Sequence, residues 1–228
     1  MIITIDGPAA SGKSSVARAL AVRLNFYYLY TGLLYRAVAY LLAVKYGVDF
    51  FSSSCSGPFK IDSNDLNFIK NISYEYLNGK PKVLFEGKDI AVFLHGVEMD
   101  QLSSVIAAHN GVRFKLLVLQ RKIGKEYDIV ADGRDCGTVV FPNAEYKFFL
   151  TATKTMRVQR IFSSFQRNGE RKTVEKIEKE LNLRDNRDIN REVAPLKISD
   201  GAIVVDNSDM TLTETIEFFL SKINIPIK

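Results

Sequence analysis

A glycine-rich stretch near the start of the chain has the residue types and the spacing that bind phosphate. The run Gly7-Pro8-Ala9-Ala10-Ser11-Gly12-Lys13-Ser14 matches the pattern G-x-x-x-x-G-K-[ST] at every fixed position. Glycines let backbone N–H groups approach a phosphate closely, and a helix that follows adds the positive end of its dipole. The pattern predicts that Lys13 reaches the β- and γ-phosphates of ATP and that the Ser14 hydroxyl ligates Mg²⁺. The predicted cofactor-binding residues are Gly7, Pro8, Ala9, Ala10, Ser11, Gly12, Lys13, Ser14 and Ser15.

A second polar cluster, Asp132-Gly133-Arg134-Asp135-Cys136-Gly137-Thr138, directly follows an apolar run. If that run is a strand, the cluster lies at the carboxyl edge of a sheet, where open α/β sheets bind ligands. Its glycines would allow a ligand to approach the backbone closely. The alternative is a salt-bridged surface turn.

A third cluster, Thr31-Gly32-Leu33-Leu34-Tyr35-Arg36, opens a predicted helix. A hydroxyl, a glycine turn and an arginine one helical turn later can together hold an anion. The alternative interpretation is a helix cap beside a surface arginine.

Arginines are concentrated in the last third of the chain. Arg184, Arg187 and Arg191 are spaced at three and four residues, which predicts one helix face, and Arg157 and Arg160 precede them at similar spacing. Guanidinium groups on a mobile segment suit phosphoryl transfer, because the transition state spreads negative charge over the γ-phosphoryl oxygens. The alternative is a solvated face held by ion pairs within the helix.

The elements that position these clusters follow from apolar periodicity. Short apolar runs predict strands at 2–5, 128–132, 147–150 and 202–206. Helical spacing predicts helices at 13–24, 33–46, 103–122 and 212–223, and helical sequence at 154–190. Strands alternating with helices indicate a parallel sheet covered on both faces. A small α/β insertion at 48–100 contains a loop at 52–58 and a hairpin, 72–76 with 82–86, that turns near Asn78-Gly79.

The bulk properties are those of a soluble globular protein. The chain has 228 residues and a net charge of +5, which suits nucleotides or nucleic acid but also fits a simple drift toward lysine. The two cysteines are too few for a disulfide framework or a zinc site, and no run approaches the ~20 apolar residues that span a bilayer. We expect no signal peptide and a cytoplasmic location.

From end to end the chain resembles the bacterial-type cytidylate kinases. The phosphate loop alone is silent about the phosphate acceptor, whereas the clusters together are far more specific. The matching segments are Ile3-Thr4-Ile5-Asp6-Gly7-Pro8, Thr31-Gly32 with Tyr35-Arg36, Ala131-Asp132-Gly133-Arg134-Asp135 with Gly137-Thr138-Val139-Val140-Phe141-Pro142, Arg184-Asp185 with Arg187-Asp188 and Asn190-Arg191, and Ala194-Pro195-Leu196.

The resemblance implies transfer of the γ-phosphoryl group of ATP to CMP or dCMP, with Mg²⁺. It implies that the CMP phosphate is held by Arg36, Arg134 and Arg191. It further implies cytosine contacts from Ser104 (with Ser103 as the alternative in a shifted alignment), Arg113 and Asp135. Ribose contacts would come from Arg184 and Asp188, and Thr31 would lie near the acceptor nucleotide. The implied catalytic residues are Lys13, Arg134, Arg157, Arg160 and Arg191.

The resemblance also implies a fold. We expect an α/β fold of the P-loop NTPase type, with three α/β/α layers, a central mostly parallel sheet, an enlarged NMP-binding insertion and a helical lid. The expected domains are a core at 1–40, 101–153 and 191–228, an NMP-binding insertion at 41–100, and a lid at 154–190. The expected partners are CMP and dCMP, with no nucleic acid and no membrane, and the expected state is a monomer.

Two segments depart from the family pattern. Tyr30 stands where the family usually has an aspartate before the Ser/Thr-Gly pair, and Phe93-Leu94-His95-Gly96 lacks the arginine and threonine that the family carries after its hairpin. Three alternatives remain open, and Tyr30 bears on the last of them. They are a kinase for UMP, dTMP or a small metabolite, a nucleic-acid-binding ATPase with a basic 154–190 segment, and a catalytically silent nucleotide-binding protein.

Overall fold

The computed structural model describes residues 1–49, 51, 61–62 and 64–224. They form two compact units, the first made of 1–28 with 127–228 and the second of 29–126. The strands are β1 (Ile2–Asp6), β2 (Tyr27–Tyr30), β3 (Ile72–Leu77), β4 (Lys80–Phe85), β5 (Lys88–Asp89), β6 (Ile129–Gly133), β7 (Tyr146–Thr151) and β8 (Ile203–Asp206). The α-helices are α1 (Lys13–Leu24), α2 (Thr31–Tyr46), α3 (Val97–Ile106), α4 (Asn110–Glu126), α5 (Lys154–Arg167), α6 (Val174–Asn190) and α7 (Leu212–Lys222).

The larger sheet has five strands in the order β2-β6-β1-β7-β8. β1 pairs in parallel with both β6 and β7, and β7 pairs in parallel with β8. The register Ile5↔Asp132 and Asp6↔Gly133 aligns the carboxyl ends of β1 and β6. The phosphate loop after β1 and the polar cluster after β6 therefore begin side by side. The parallel pairings confirm the expected mostly parallel sheet.

Apolar side chains of the first unit bury the sheet against helices. Ile3 and Ile5 of β1 are fully buried, as is Leu20 of α1, which packs on β6. The Phe219 ring of α7 stacks on Phe148 of β7 with 4.1 Å between ring centroids. The Thr211 hydroxyl and the Glu214 carboxylate form a capping box that fixes the start of α7.

The second unit joins the hairpin to helices α2, α3 and α4. β3 and β4 pair antiparallel, and β5 adds a short third strand. The hairpin turns at Asn78 and Gly79, whose φ angles of 53° and 74° are those of a type I′ turn. This confirms the hairpin predicted from Asn-Gly, while the loop predicted at 52–58 lies outside the described residues.

The predicted helix at 103–122 is wrong, because α3 ends at Ile106 and α4 begins at Asn110. The His109 Nδ1 atom accepts a 3.4 Å hydrogen bond from the Val112 amide and so caps α4. The Arg113 guanidinium donates to the carbonyl of Ala107 at 2.8 Å, which satisfies a backbone group at the break.

Two further elements differ from the sequence expectation. Strand β2 was not predicted. The helical segment expected at 154–190 is two helices, because the chain breaks at Gly169, with φ of 72°, and α6 starts afresh with Thr173 as its N-cap. The functional division into core, insertion and lid stays a prediction. The two compact units show which residues pack together, but not which segments move as a lid or an insertion.

Among the described ranges, no single helix is long and apolar enough to cross a bilayer. Glu98–Ile106 and Asn110–Glu126, bent by 97°, pass that test only as a pair, by length and composition.

Candidate functional site

The phosphate loop adopts a backbone conformation that favours glycine at two positions. Gly7 has φ of 150°, and a Cβ atom there would lie 2.0 Å from the Leu150 carbonyl oxygen of β7. Gly12 has φ of 92° and no capping side chain stands before α1. The first amides of α1 are therefore not satisfied by a side-chain cap, as a phosphate-binding helix start requires.

Lys13 is buried beneath this loop. Its Nζ donates to the Pro8 carbonyl at 2.6 Å and to the Ser11 hydroxyl at 3.4 Å, so the side chain folds back under the loop. Burial lowers the pKa of Lys13 well below its usual value, and the charge of Arg134 lowers it further, whereas Asp132 opposes both. A bound polyphosphate would reverse this effect, because an anion stabilises the charged ammonium.

Asp132, at the end of β6, links the phosphate loop to the sheet. Its Oδ2 accepts from the Ser14 hydroxyl at 2.7 Å and its Oδ1 accepts from the Tyr28 phenol at 2.9 Å. Burial raises the pKa of Asp132, and the Ser14 hydrogen bond opposes that rise. Sequence analysis gave Asp132 no role in a metal site, although an apolar strand ending on an acid was the available signal.

Beyond β6, two arginines and two aspartates form a network. Arg134 Nε donates to Asp188 Oδ2 at 2.7 Å, and Arg191 Nη1 lies 3.8 Å from Asp188 Oδ1. Arg191 Nη2 also donates to Asp135 Oδ1 at 3.5 Å. Burial raises the pKa of Asp188, but the charges of Arg134, Arg191 and Arg184 outweigh burial, so the pKa lies below its ordinary value.

This network corrects one detail of the sequence reading. Arg191 does not lie on the helix with Arg184 and Arg187, because α6 ends at Asn190 and Arg191 has an extended backbone. Its Nε instead donates to the Ala194 carbonyl at 2.7 Å, and the side chain is buried. Arg187 is exposed, so the three arginines do not share one face.

Asp6 fixes the loop that carries Arg134 and Asp135. Its two carboxylate oxygens accept from the amides of Cys136, at 2.9 Å, and Gly137, at 2.7 Å. These amides open a π-helical turn over Cys136–Val140. Burial is the main cause that raises the pKa of Asp6 to about 6, and the nearby charge of Asp135 adds to it.

The arginines of α5 contact the phosphate loop through its backbone. Arg157 Nη1 donates to the Ala9 carbonyl at 3.1 Å and pairs with Asp185 Oδ2 at 2.6 Å. Arg160 Nη1 donates to the Ser11 carbonyl at 3.1 Å and to Asn207 Oδ1 at 3.1 Å. Both guanidinium groups thus lie against the loop, as a role near the donor phosphates requires. Sequence analysis assigned no partner to either arginine.

Four predicted residues belong to the second unit. Arg36 Nη1 donates to the Leu94 carbonyl at 3.0 Å and its Nη2 pairs with Asp100 Oδ1 at 2.5 Å. The Arg113 guanidinium lies 5.4 Å from the centroid of the Tyr35 ring. Both hydroxyls proposed beside them, Thr31 and Ser104, are buried.

Within the first unit, the structure therefore brings together a phosphate loop, a hydroxyl–carboxylate pair, and a cluster of cations balanced by aspartates. Arg184 is half-buried and close enough for its charge to lower the pKa of Lys13, whereas Ser15 is exposed on α1. Such an arrangement can bind a polyphosphate, bind a hard cation, and neutralise charge that develops during phosphoryl transfer.

Known proteins match this chain over nearly its whole length. The cytidylate kinase family model matches residues 3–225. A cytidylate kinase of Thermotoga sp. strain RQ2 is 42% identical over 218 residues, covering 96% of this chain and 94% of that protein. A cytidylate kinase of Thermodesulfovibrio yellowstonii is 38% identical over 223 residues, covering 97% of each chain.

A solved structure shares the fold at much lower identity. The crystal structure of an uncharacterized protein from Eubacterium ventriosum superposes with a TM-score of 0.51 at 13% identity, covering 99% of both chains. At that identity the likeness concerns the fold alone.

Proposed function

Since this chain belongs to the cytidylate kinase family, we propose that it transfers the γ-phosphoryl group of ATP to CMP and dCMP, giving CDP and dCDP. The enzyme is a phosphotransferase that acts on a phosphate acceptor, and its substrates are nucleotides. The observation that carries the proposal within this chain is the phosphate loop with Lys13 beneath it and the Arg134–Asp188–Arg191 network beyond β6 in the same unit. One feature supplies a donor site and the other supplies cations for a second anion.

The donor phosphates would be held by residues 7–15. The amides of this loop and of the first turn of α1 would hydrogen bond to phosphate oxygens, with Lys13 as the point charge that follows the γ-phosphoryl group. Arg157 and Arg160 would add charge from α5. Their contacts with the Ala9 and Ser11 carbonyls support this role, because they hold two guanidinium groups at the loop.

The donor set at the end of β6 fits Mg²⁺. A hydroxyl oxygen of Ser14 and a carboxylate of Asp132 lie 2.7 Å apart, and Mg²⁺ prefers oxygen ligands while keeping several waters. When bound, Mg²⁺ neutralises charge on the β- and γ-phosphoryl oxygens. The Ser14 hydroxyl donates its hydrogen bond to Asp132, so the lone pairs of its oxygen can coordinate a cation.

The acceptor contacts stay proposals from the family pattern. The CMP phosphate would be bound by Arg36, Arg134 and Arg191. Asp188 would bind the ribose 2′-OH, with Arg184 beside it, and the ion pairs at Asp188 keep its carboxylate ionised as an acceptor. Asp135, Ser104 and Arg113 would read the cytosine edge, and Thr31 would lie near the nucleotide. A carboxylate suits the exocyclic amino donor of cytosine and disfavours the carbonyl of uracil.

Catalysis by these residues would consist of positioning and charge neutralisation. The attacking oxygen of the CMP phosphate is already ionised, so the transfer needs no general base. The catalytic residues would be Lys13, Arg134, Arg157, Arg160 and Arg191, because each carries a positive charge at the donor loop or in the network. An approach of the proposed lid (154–190) and NMP-binding insertion (41–100) toward the core would exclude water and prevent wasteful hydrolysis of ATP.

A coupled assay tests the proposal. ADP release from Mg-ATP is measured with CMP, dCMP, UMP, AMP and dTMP in turn, and the diphosphate product is identified by chromatography. We expect turnover with CMP and dCMP. Turnover with UMP or dTMP alone would keep the kinase and refute the cytosine contacts. ADP release that ignores all five nucleotides, or rises only with nucleic acid, would refute the proposal.

The proposal also includes the oligomeric state and the location of the protein. We propose a monomer in the cytoplasm, which follows the family pattern. Sedimentation velocity across a roughly 100-fold range of concentration, which is wide enough to shift a weak dimer by mass action, tests the monomeric state.

A further inference from the structure

Tyr28 lies deep in the first unit beside the proposed Mg²⁺ site. It belongs to β2, which neighbours β6 in the sheet, and only 2% of the residue is exposed. Its phenol donates a 2.9 Å hydrogen bond to Asp132 Oδ1. A buried phenol needs such a partner, so its burial alone explains that a hydrogen bond exists, but not why the acceptor is this carboxylate.

The choice of acceptor has a consequence at Ser14. Asp132 accepts from Tyr28 through Oδ1 and from Ser14 through Oδ2, so two donors from two different elements fix the plane of the carboxylate. Because Oδ2 takes the single proton of Ser14, the hydroxyl oxygen keeps its lone pairs for a cation. If the carboxylate turned about its Cβ–Cγ bond, the Ser14 proton could point toward the cation instead.

We propose that Tyr28 is a positioning residue of the Mg²⁺ site, whose phenol holds Asp132 in the orientation that presents the Ser14 oxygen to the metal. This inference rests on the proposed function, since it needs the metal at Ser14 and Asp132. We assign Tyr28 no role as a ligand of the substrate or of the metal. It acts through Asp132, in the way that outer partners orient ligands in other metal sites.

Adjacent residues of β2 provide a matched control. Tyr27 precedes Tyr28 on the strand, so its side chain leaves the opposite face. Its ring stacks on Tyr127 with 4.4 Å between centroids. Tyr28→Phe and Tyr27→Phe each remove one phenolic oxygen and keep the ring, and only the first removes the donor to Asp132.

The test measures Mg²⁺ binding without turnover. Isothermal titration calorimetry gives the affinity of the β,γ-imido analogue of ATP over a range of Mg²⁺ concentrations, and hence the apparent Mg²⁺ affinity. We expect Tyr28→Phe to weaken that affinity about tenfold, as removal of an outer partner commonly does. We expect the metal-free affinity for the analogue to remain unchanged, and Tyr27→Phe to behave like the wild type.

Asp132→Asn distinguishes an error in the role of Tyr28 from an error in the metal site itself. It should weaken the apparent Mg²⁺ affinity by itself, and adding Tyr28→Phe to it should have no further effect, because Tyr28 acts through Asp132. Wild-type Mg²⁺ affinity in Tyr28→Phe, or an undiminished effect of Tyr28→Phe in the Asp132→Asn background, would overturn the inference and leave the metal site standing. Wild-type affinity in Asp132→Asn would refute the metal site itself. Should Tyr28→Phe fold poorly by circular dichroism, Tyr28→Met, which also lacks the donor, takes its place.

Discussion

Arg157 and Asp185 form an ion pair of 2.6 Å, and both residues hydrogen bond to the backbone of Ala9 in the phosphate loop. Arg157 donates to the Ala9 carbonyl at 3.1 Å, and Asp185 Oδ1 accepts from the Ala9 amide at 3.4 Å. Helices α5 and α6 are therefore tied to a single residue of the loop. A movement of these helices relative to the loop must break the contacts with Ala9 or carry Ala9 along with it.

Breaking this ion pair should affect both stability and ATP binding. Asp185→Asn leaves the charge of Arg157 without its partner in a site where the two side chains are only 10% and 14% exposed. We expect the free energy of unfolding to fall by about 3 kcal/mol, the low end for loss of one partner of a buried pair. The KM for ATP should rise, while the KM for CMP should change less. Urea unfolding and steady-state kinetics measure the two effects.

The same two helices provide a control. Lys154 and Glu178 also pair α5 with α6, at 2.6 Å, but their side chains are 45% and 46% exposed. Glu178→Gln should lower the free energy of unfolding by less than about 1 kcal/mol, as exposed pairs do, and leave both KM values unchanged. Equal losses of unfolding free energy and equal changes in KM in the two variants would show that the contact of Asp185 with Ala9 does not affect stability or ATP binding.

Arg134→Lys should impair the acceptor side of the reaction. Arg134 pairs with Asp188 through Nε, and its planar guanidinium can direct several N–H groups at an ion pair and a phosphate in a fixed geometry. A lysine offers one point charge, which cannot serve both partners with the same geometry. We expect the KM for CMP to rise about tenfold or more, corresponding to roughly 1.4 kcal/mol, and the KM for ATP to change little. Arg187→Lys, on the exposed surface of α6, is the matched control. A rise in both KM values alike would contradict the acceptor assignment.

Tyr30 should support Arg36 in place of the carboxylate usual in the family. The Arg36 guanidinium lies 5.9 Å from the centroid of the Tyr30 ring, and the Tyr30 amide donates to the Tyr74 phenol at 2.9 Å. The ring makes this cation–π contact with Arg36. Tyr30→Phe should therefore keep the KM for CMP within about twofold, whereas Tyr30→Leu should raise it about threefold, as a lost cation–π contact of roughly 0.5–1 kcal/mol predicts. The reverse order of the two variants would locate the effect in the hydroxyl.

The parts of the fold that sequence analysis predicted well are local. The bounds of α1 at Lys13 and Leu24 follow from Gly12, which starts the helix, and from the helical spacing of Val16, Ala17 and Leu20. The hairpin turn follows from Asn78-Gly79, because both residues tolerate the positive φ that the turn requires. In these segments the residues that decide the structure lie within a few positions of each other.

The parts that sequence analysis missed depend on side-chain contacts and strand pairings that neither periodicity nor a turn signal marks. β2 is a strand of four residues that borders β6 in the sheet, and no alternation in its own sequence marks it. The break between α3 and α4 contains no proline, and depends on the His109 and Arg113 side chains that satisfy backbone groups there. Tyr28 and Asp132 are 104 positions apart, so their hydrogen bond could be found only in the folded chain.

Asp6 should give the protein a stability that depends on pH. Burial raises the pKa of Asp6 to about 6 in the folded state, above the ordinary value of 3.8 that applies when the chain unfolds. The folded state therefore holds this proton more tightly than the unfolded state does. Its contribution to stability is fully present below about pH 4 and is lost as the pH rises through about 6.

A comparison with Asp6→Asn isolates this effect from the other titrating groups. The amide has the shape of the carboxyl group but does not titrate, so the free energy of unfolding of the wild type should fall relative to the variant between pH 4 and pH 7.5. Roughly two pKa units at about 1.4 kcal/mol each set the upper limit of the relative change at about 3 kcal/mol. Urea unfolding of both proteins at several pH values measures the difference. A difference that stays constant would mean that the two amides of Cys136 and Gly137 keep Asp6 ionised throughout, because hydrogen bonds to the charged form offset its burial.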